Sequence, residues 1–229
     1  MADTEVSIGY GTVLEIALAS EPADFTYIRE VYALTPPADT DDSLEATHMQ
    51  SPNKTREYIP GLTDSGEASV EMNYIPGSET DRFIQSIRGK KLINRVTFEN
   101  GIQVIFRGNR QGYEKDVPVD DRKTATLTLR VSGDPIMTGV TAPRNIDLPI
   151  IDGVAKVGSP LTVDWGIWAG AEDLSYQWKV GGDSVANANT SSYVPVVADV
   201  GEVITVDVTG ANTLYSTTVS SAATVAVVA

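Results

Sequence analysis

Cysteine is absent from this chain, and histidine occurs once, at His48. The first absence excludes disulfides and thiolate chemistry, and it fits folding in a reducing cytoplasm. With no second histidine either, a typical zinc site has no donor set, so His48 reads as an ordinary loop residue. Long apolar runs are missing too; none approaches the ~18 residues that a membrane-spanning helix needs. The opening MADTEVSIGYG has two acidic residues and no basic start, so no secretory signal is expected there. Basic residues are scarce, with 17 Lys and Arg against 31 Asp and Glu. Up to residue 142 there are 14 basic and 22 acidic residues, and beyond it 3 and 9, so both parts are acidic. Tight nucleic-acid binding depends on cations that neutralise phosphates, and neither part reads as such a module. Acidity does not keep DNA from passing nearby; it keeps DNA from sticking.

Catalytic signatures are equally sparse. The glycines of GYGTVLEIA form no phosphate-binding GxGxxG turn, and no Gly-x-Ser-x-Gly elbow occurs. A Ser-His-Asp triad could draw only on His48, and nothing singles out a carboxylate pair among the acids. The DTDD run at 39–42 lacks the spaced pattern of a calcium loop and reads as solvated loop acid. No enzyme activity and no cofactor are expected.

What is present is β signal. TATLTLRVS (124–132) alternates, with Ala125, Leu127, Leu129 and Val131 on one face and Thr124, Thr126, Thr128 and Arg130 on the other. LINRVTF and IQVIFRG flank Glu99-Asn100-Gly101, a tight hairpin turn. TVLEIALAS and YIREVYAL are further candidate strands. SETDRFIQSIRGK predicts the one convincing helix: Ser78 caps it with Asp81 three residues on, Phe83, Ile84 and Ile87 share a face, and Gly89 ends it. The RGKK run at 88–91 then supplies a cationic helix end, with an intersubunit salt bridge to an acidic loop as the other reading.

The tetrapeptide YIPG occurs twice, at 58–61 and 74–77. Tyr-Ile favours extended chain, Pro removes a ladder donor and Gly permits reversal, so each copy is expected to end a strand. Between them EASVEMNY alternates, Ala68, Val70, Met72 and Tyr74 inward and Glu67, Ser69, Glu71 and Asn73 outward. The polar stretch 35–57 reads as a long loop with a short strand at Leu44–His48. Loops of that length usually serve a function, here contact with another copy.

Composition shifts near GVTAPRNI (139–146), where charge thins out and short alternating runs of Val, Thr, Ala and Ser begin. Two domains are expected, 1–142 and 143–229, the second a small β-sandwich. In it Tyr176, Trp178, Ile204 and Val206 are core candidates. Trp165 and Trp168, in WGIWAG, read either as core residues or as surface contacts for a ligand such as a glycan.

The ordered set REYIPGLTDSGEASVEMNYIPG, a helix, then VTFENGIQVIFRGNRQGYEKDVPVDDRKTATLTLRVSGDP resembles the major tail tube proteins of long-tailed, lambda-like bacteriophages, over roughly residues 5–137. Residues 146–228, through VGSPLTVDWGIW, LSYQWKVGG and SSYVPVVADVGEVITVDVTG, are similar to the disulfide-free immunoglobulin-like modules of phage virion and bacterial surface proteins. The resemblance implies a mainly β protein, a sandwich or barrel with one helix and a long loop followed by an Ig-like sandwich. It further implies a virion subunit made in the host cytoplasm and assembled as stacked hexameric rings around a bore that conducts DNA. Expected partners are further copies, a tape measure protein, a tail terminator, distal tail or baseplate proteins, and host-surface glycans bound weakly by the Ig-like half.

Two placements follow from alternation and polarity on that reading. Glu67, Ser69, Glu71 and Asn73 face the lumen, and Asp39, Asp41, Asp42, Glu45, His48, Lys54 and Arg56 belong to a loop that contacts the next ring. The competing reading is a secreted or surface Ig-like carbohydrate-binding or adhesion protein, which predicts an export signal and leaves the first 140 or so residues unexplained.

Overall fold

A computed structural model of the protein describes residues 9–229; residues 1–8, most of the stretch considered above for export, lie outside the described residues. The chain forms two compact units, one of Leu14–Val96 with Val104–Met137, the other of Thr138–Ala229 with Thr97–Gln103 and, among the described residues, 9–13.

The first unit runs β1 (Val13–Leu18), β2 (Thr26–Tyr27), β3 (Val31–Thr35), β4 (Thr40–Glu45), β5 (Tyr58–Asp64), β6 (Glu67–Asn73), α1 (Glu79–Ser86), β7 (Lys91–Thr97), β8 (Gln103–Asp116), β9 (Thr124–Val131) and β10 (Ile136–Met137). Its main sheet has the order β2-β1-β7-β8-β9-β6-β3, with β10 added to β8. Period-two alternation decides which side chains enter the core: Ala68, Val70 and Met72 of β6 and Ala125, Leu127 and Leu129 of β9 are all buried. Helix α1 covers that inner face with Ile84 and Ile87, both fully buried. Ser78 caps it, its Oγ accepting from Asp81 N at 3.1 Å. Asp81 reaches back one residue further than a capping box requires, accepting from Gly77 N at 2.9 Å. Arg95 and buried Glu15 form an ion pair inside the sheet, with Nε and Nη2 each 3.0 Å from Oε2. The Arg95 guanidinium also lies 3.9 Å from the Phe25 ring centroid. Desolvation offsets much of the attraction in such a buried pair, so its net contribution to stability is small.

YIREVYAL is not one strand. It divides into β2 and β3 around Ile28–Glu30, where Glu30 takes φ 67. A non-glycine residue in that region breaks the pleat. The expected loop at 35–57 is likewise reorganised, because β4 and β5 pair as a two-stranded antiparallel ribbon. A 3-10 turn at Pro52–Lys54 lies within the connection between them.

The second unit holds β11 (Arg144–Asp147), β12 (Ile150–Asp152), β13 (Leu161–Asp164), β14 (Ile167–Ala169), β15 (Asp173–Val180), β16 (Asp183–Ser184), β17 (Ser192–Tyr193), β18 (Ile204–Ala211) and β19 (Ser216–Ser220). They form sheets of order β12-β13-β17 and β16-β15-β18-β19 and the pair β11-β14. One core joins Leu161 and Val163 of β13 to Trp178 of β15 and Ile204, Val206 and Val208 of β18, with Tyr176 partly buried against it. Trp178 is fully buried. Its indole N–H donates to Thr190 O at 2.9 Å and its ring stacks on Tyr193 at 5.7 Å. A buried indole needs such a partner for its one donor. The Tyr193 hydroxyl donates to Asp199 at 2.8 Å. Burial first, and then that carboxylate, push the phenol up to about 12.

Candidate functional site

The polar face of the main sheet is built rung by rung. Across β6, β9 and β8 the register aligns Glu67–Arg130–Asn109, Ser69–Thr128–Gly112, Glu71–Thr126–Glu114 and Asn73–Thr124–Asp116. Glu67, Glu71, Asn109, Glu114 and Asp116 are exposed, and the intervening threonines half-buried. β3 continues the face with Ala33 opposite Glu71 and Thr35 opposite Ser69. Four carboxylates and one guanidinium therefore share these rungs. Arg130 is already occupied, 2.6 Å from Asp64 and 3.6 Å from Glu67. Asp64 is held below the ordinary carboxylate range, first by the Gly66 N–H and then by Arg130. The surface left over is acidic and hydroxyl-rich, with nothing arranged to grip a phosphate.

Glu67, Ser69, Glu71 and Asn73 do lie together on this face, as their alternation predicts. Glu114 and Asp116 were missed. The strand read at 102–108 continues to Asp116 through NRQGYEKD, which has no apolar alternation. An extra residue at Gln111 shifts the register, Arg110 pairing Leu129 and Gly112 pairing Thr128. The inward side chains of this extension are polar because they meet the helix. Arg110 Nη1 donates to Ile84 O at 3.0 Å, Tyr113 donates to Asp81 at 3.2 Å, and Lys115 Nζ sits 3.3 Å from the same carboxylate oxygen. Burial opposes the Asp81 charge, but the Gly77 N–H, Gln85 and Lys115 outweigh it and hold the carboxyl below its usual range.

The ribbon is the second feature. Asp39, Asp41, Asp42, Glu45, His48, Lys54 and Arg56 are all exposed, on β4, β5 or the chain beside them. Arg56 pairs with Glu45 at 3.7 Å, and His48 Nε2 lies 3.5 Å from Glu57. The apolar residues have no core to enter: Leu44 lies opposite Ile59, and both are more than half exposed, as are Tyr58 and Leu62.

The first YIPG corrects an expectation, since it lies inside β5 rather than ending a strand. Pro60 pairs with Ser43, Thr63 pairs with Asp41, and the extra residue between them makes a bulge. Proline is tolerated there because both ribbon strands are edges. A Cβ on Gly61 would meet Asp42 Cβ at 2.8 Å. The second copy does end its strand. Gly77 takes φ 74 and leads into the α1 cap.

In the other unit Trp165 is partly exposed, but Trp168 is buried and no ligand could stack on it. The Trp168 N–H donates to Trp165 O at 2.9 Å, and its ring lies where a Cβ on Gly210 would stand, 2.6 Å from its Cε3. β14 turns it into the core.

No curated protein matches the chain. Among solved structures, the chain is similar to a subunit of the tail of an empty gene transfer agent particle, with TM-score 0.50 and 14% identity over 58% of this chain and 100% of that one. It is also similar to a subunit of the SPP1 tail tube, with TM-score 0.46 and 13% identity over 58% and 78%. The family model described as lambda phage tail tube protein, TTP, matches residues 9–138, more than half of the chain. This protein therefore belongs to the lambda phage tail tube protein family and is a structural component of virion tails.

Proposed function

We propose that the chain assembles into stacked hexameric rings forming a tail tube, and that the face carried by β6, β9 and β8 lines its bore. The observation that carries this reading is the net acidity of that face, where Glu71, Glu114 and Asp116 stand on adjoining strands of the matched region beside the Glu67–Arg130 pair. Six-fold symmetry is supported by the similar gene transfer agent tail, which is described with C6 symmetry. Open edges at β2 and β3 leave ladder groups that neighbouring copies can pair with, and ring closure removes them.

Duplex DNA carries about one negative charge per ~1.7 Å of axis. A lining in which carboxylates and hydroxyls outnumber cations, with Arg130 held by Asp64 and Glu67, repels it weakly and grips it nowhere firmly, so DNA slides through during ejection. The Ig-like half sits on the outside, because residues 143–229 would obstruct a channel that must pass DNA. With Trp168 buried, Trp165 alone offers little stacking surface for a glycan, and external decoration is the reading we prefer. A tape measure protein inside the bore, a terminator at one end and distal tail or baseplate proteins at the other complete the set of partners.

Negative-stain microscopy of the purified chain is expected to show tubes or stacked rings; strictly monomeric particles at high concentration would refute the assembly. Tails built with Glu67→Lys and Glu71→Lys should assemble but release DNA more slowly. Unchanged release kinetics would move the lumen to another face.

A further inference from the structure

The second half of β8 lacks what holds the first. Val104 and Phe106 are buried, but from Asn109 to Asp116 no residue is. β7 is seven residues long and β8 fourteen, so β7 can ladder with half of β8 at most. The remaining half is registered with β9, from Asn109 opposite Arg130 to Asp116 opposite Thr124. Beneath it lies one buried carboxylate. Asp81 Oδ1 accepts from Tyr113 at 3.2 Å and from Gln85 Nε2 at 2.9 Å, and it stands 3.3 Å from Lys115 Nζ. Its Oδ2 accepts from Gly77 N, so the entry turn of α1 is tied to the same side chain. The Lys115 ammonium also sits over the Tyr74 and Tyr113 rings, 5.0 and 4.8 Å from their centroids. Tyr113 and Lys115 alternate with Glu114 and Asp116, so whatever fixes the first pair below the strand fixes the second pair above it.

We infer that Asp81 is a positioning residue of the polar face: by holding Tyr113 and Lys115 from below, it sets Glu114 and Asp116 in line with Glu71 and Asn73. That these carboxylates line a bore rests on the tube reading; the anchor itself rests on the geometry of one subunit. A partly buried cation that loses its carboxylate is costly to leave in place, so the strand stays down while Asp81 is charged. Around Asp81 stand Tyr74 at the end of the β6 alternation, Tyr113 and Lys115 of β8, and Arg110 against the Tyr113 ring. Arg29, Glu30 and Glu79 share with it the lining of a small cavity. Burial opposes the Asp81 charge, and the Gly77 N–H, Gln85 and Lys115 outweigh that opposition. The hold is therefore complete above about 4 and is lost as pH falls through the lowered value.

Amide hydrogen exchange on the unassembled full chain tests it. Asp81→Asn and, separately, Lys115→Met should each speed exchange across 110–116 by about tenfold or more, with Val70 and Leu92 as slow as in the wild type. Ser78→Ala is the control, since it removes the helix cap but not the anchor and should leave 110–116 protected. Wild-type protection of 110–116 in either Asp81→Asn or Lys115→Met would overturn the inference. So would an equal loss in Ser78→Ala, because helix stability alone would then explain the effect. In acid, wild-type protection of 110–116, corrected for intrinsic exchange, should fall to the Asp81→Asn level below about 4, while that variant stays flat. A variant as sensitive to acid as the wild type would also overturn the anchor. Should Asp81→Asn fail to fold, Lys115→Met and the wild-type acid profile decide. Exchange is read on single subunits, so a failed anchor is a result distinct from a chain that forms no tube, which sinks the tube reading alone.

Discussion

The ribbon β4–β5 and the strand β6 that continues it differ in what lies beneath them. β6 is flanked by β3 and β9 and covered by the α1 layer, so Ala68, Val70 and Met72 are buried and its polar residues are left to solvent. The ribbon has one neighbour per strand and no layer under either face, so Leu44 and Ile59 pair with each other and stay wet. Both are antiparallel β structure. One is stabilised by its own chain, the other has no apolar layer beneath it. In the same way, Pro60-Gly61 sits at a ribbon bulge, whereas Pro76-Gly77 closes a strand and opens a helix.

The largest contrast should come from truncation. Leu127→Ala in β9, where the side chain is fully buried, is expected to destabilise the subunit by about 2–5 kcal/mol. Leu44→Ala should change the stability of the isolated subunit by less than about 0.5 kcal/mol while impairing assembly. Urea unfolding of both variants, beside sedimentation, measures the difference; equal losses of stability would mean that the ribbon has a core of its own.

The two YIPG glycines sharpen the point. Gly61→Ala must displace Asp42 and should distort the ribbon, with assembly reduced more than subunit stability. Gly77→Ala meets open space and incurs only the left-handed backbone cost of about 1–2 kcal/mol, read as a lower midpoint of unfolding. Removal of the cap by Ser78→Ala should cost about 1 kcal/mol, again in the subunit and not in the ribbon.

The smallest effect is a pH dependence. The folded Asp81 carboxyl lies below its unfolded value, so its contribution is complete above the unfolded range near about 4 and is lost as pH falls through the folded value. Asp81→Asn should flatten the acid side of the stability profile measured by denaturation between neutral and acid pH. A profile as steep as that of the wild type would assign the acid sensitivity to other carboxylates.

Much of the polar face was legible because alternation has a physical cause: Val70, Met72, Leu127 and Leu129 can be buried only if Glu71, Thr126 and their like point away. The Ser78 cap was legible for a similarly local reason, its hydroxyl needing only the N–H three residues on. The β8 extension was not, because Tyr113 and Lys115 face inward to reach Asp81, and a polar residue beneath a helix looks like a surface residue in the sequence. Trp168 was open between core and surface because WGIWAG carries no periodicity, and its burial depends on the space left at Gly210.

Composition and spacing alone determined that the chain is acidic, strand-rich and without cysteine or a second histidine, and which faces of β6, β9 and α1 turn inward. Those properties depend on each side chain's own polarity and on the two- and 3.6-residue repeats of the backbone. The tertiary structure alone decided that residues 40–64 form a ribbon, that Glu114 and Asp116 join Glu67 and Glu71, and that Pro60 can sit within a strand. Pairing partners and open edges are relations between segments distant in the chain, and no single segment carries them.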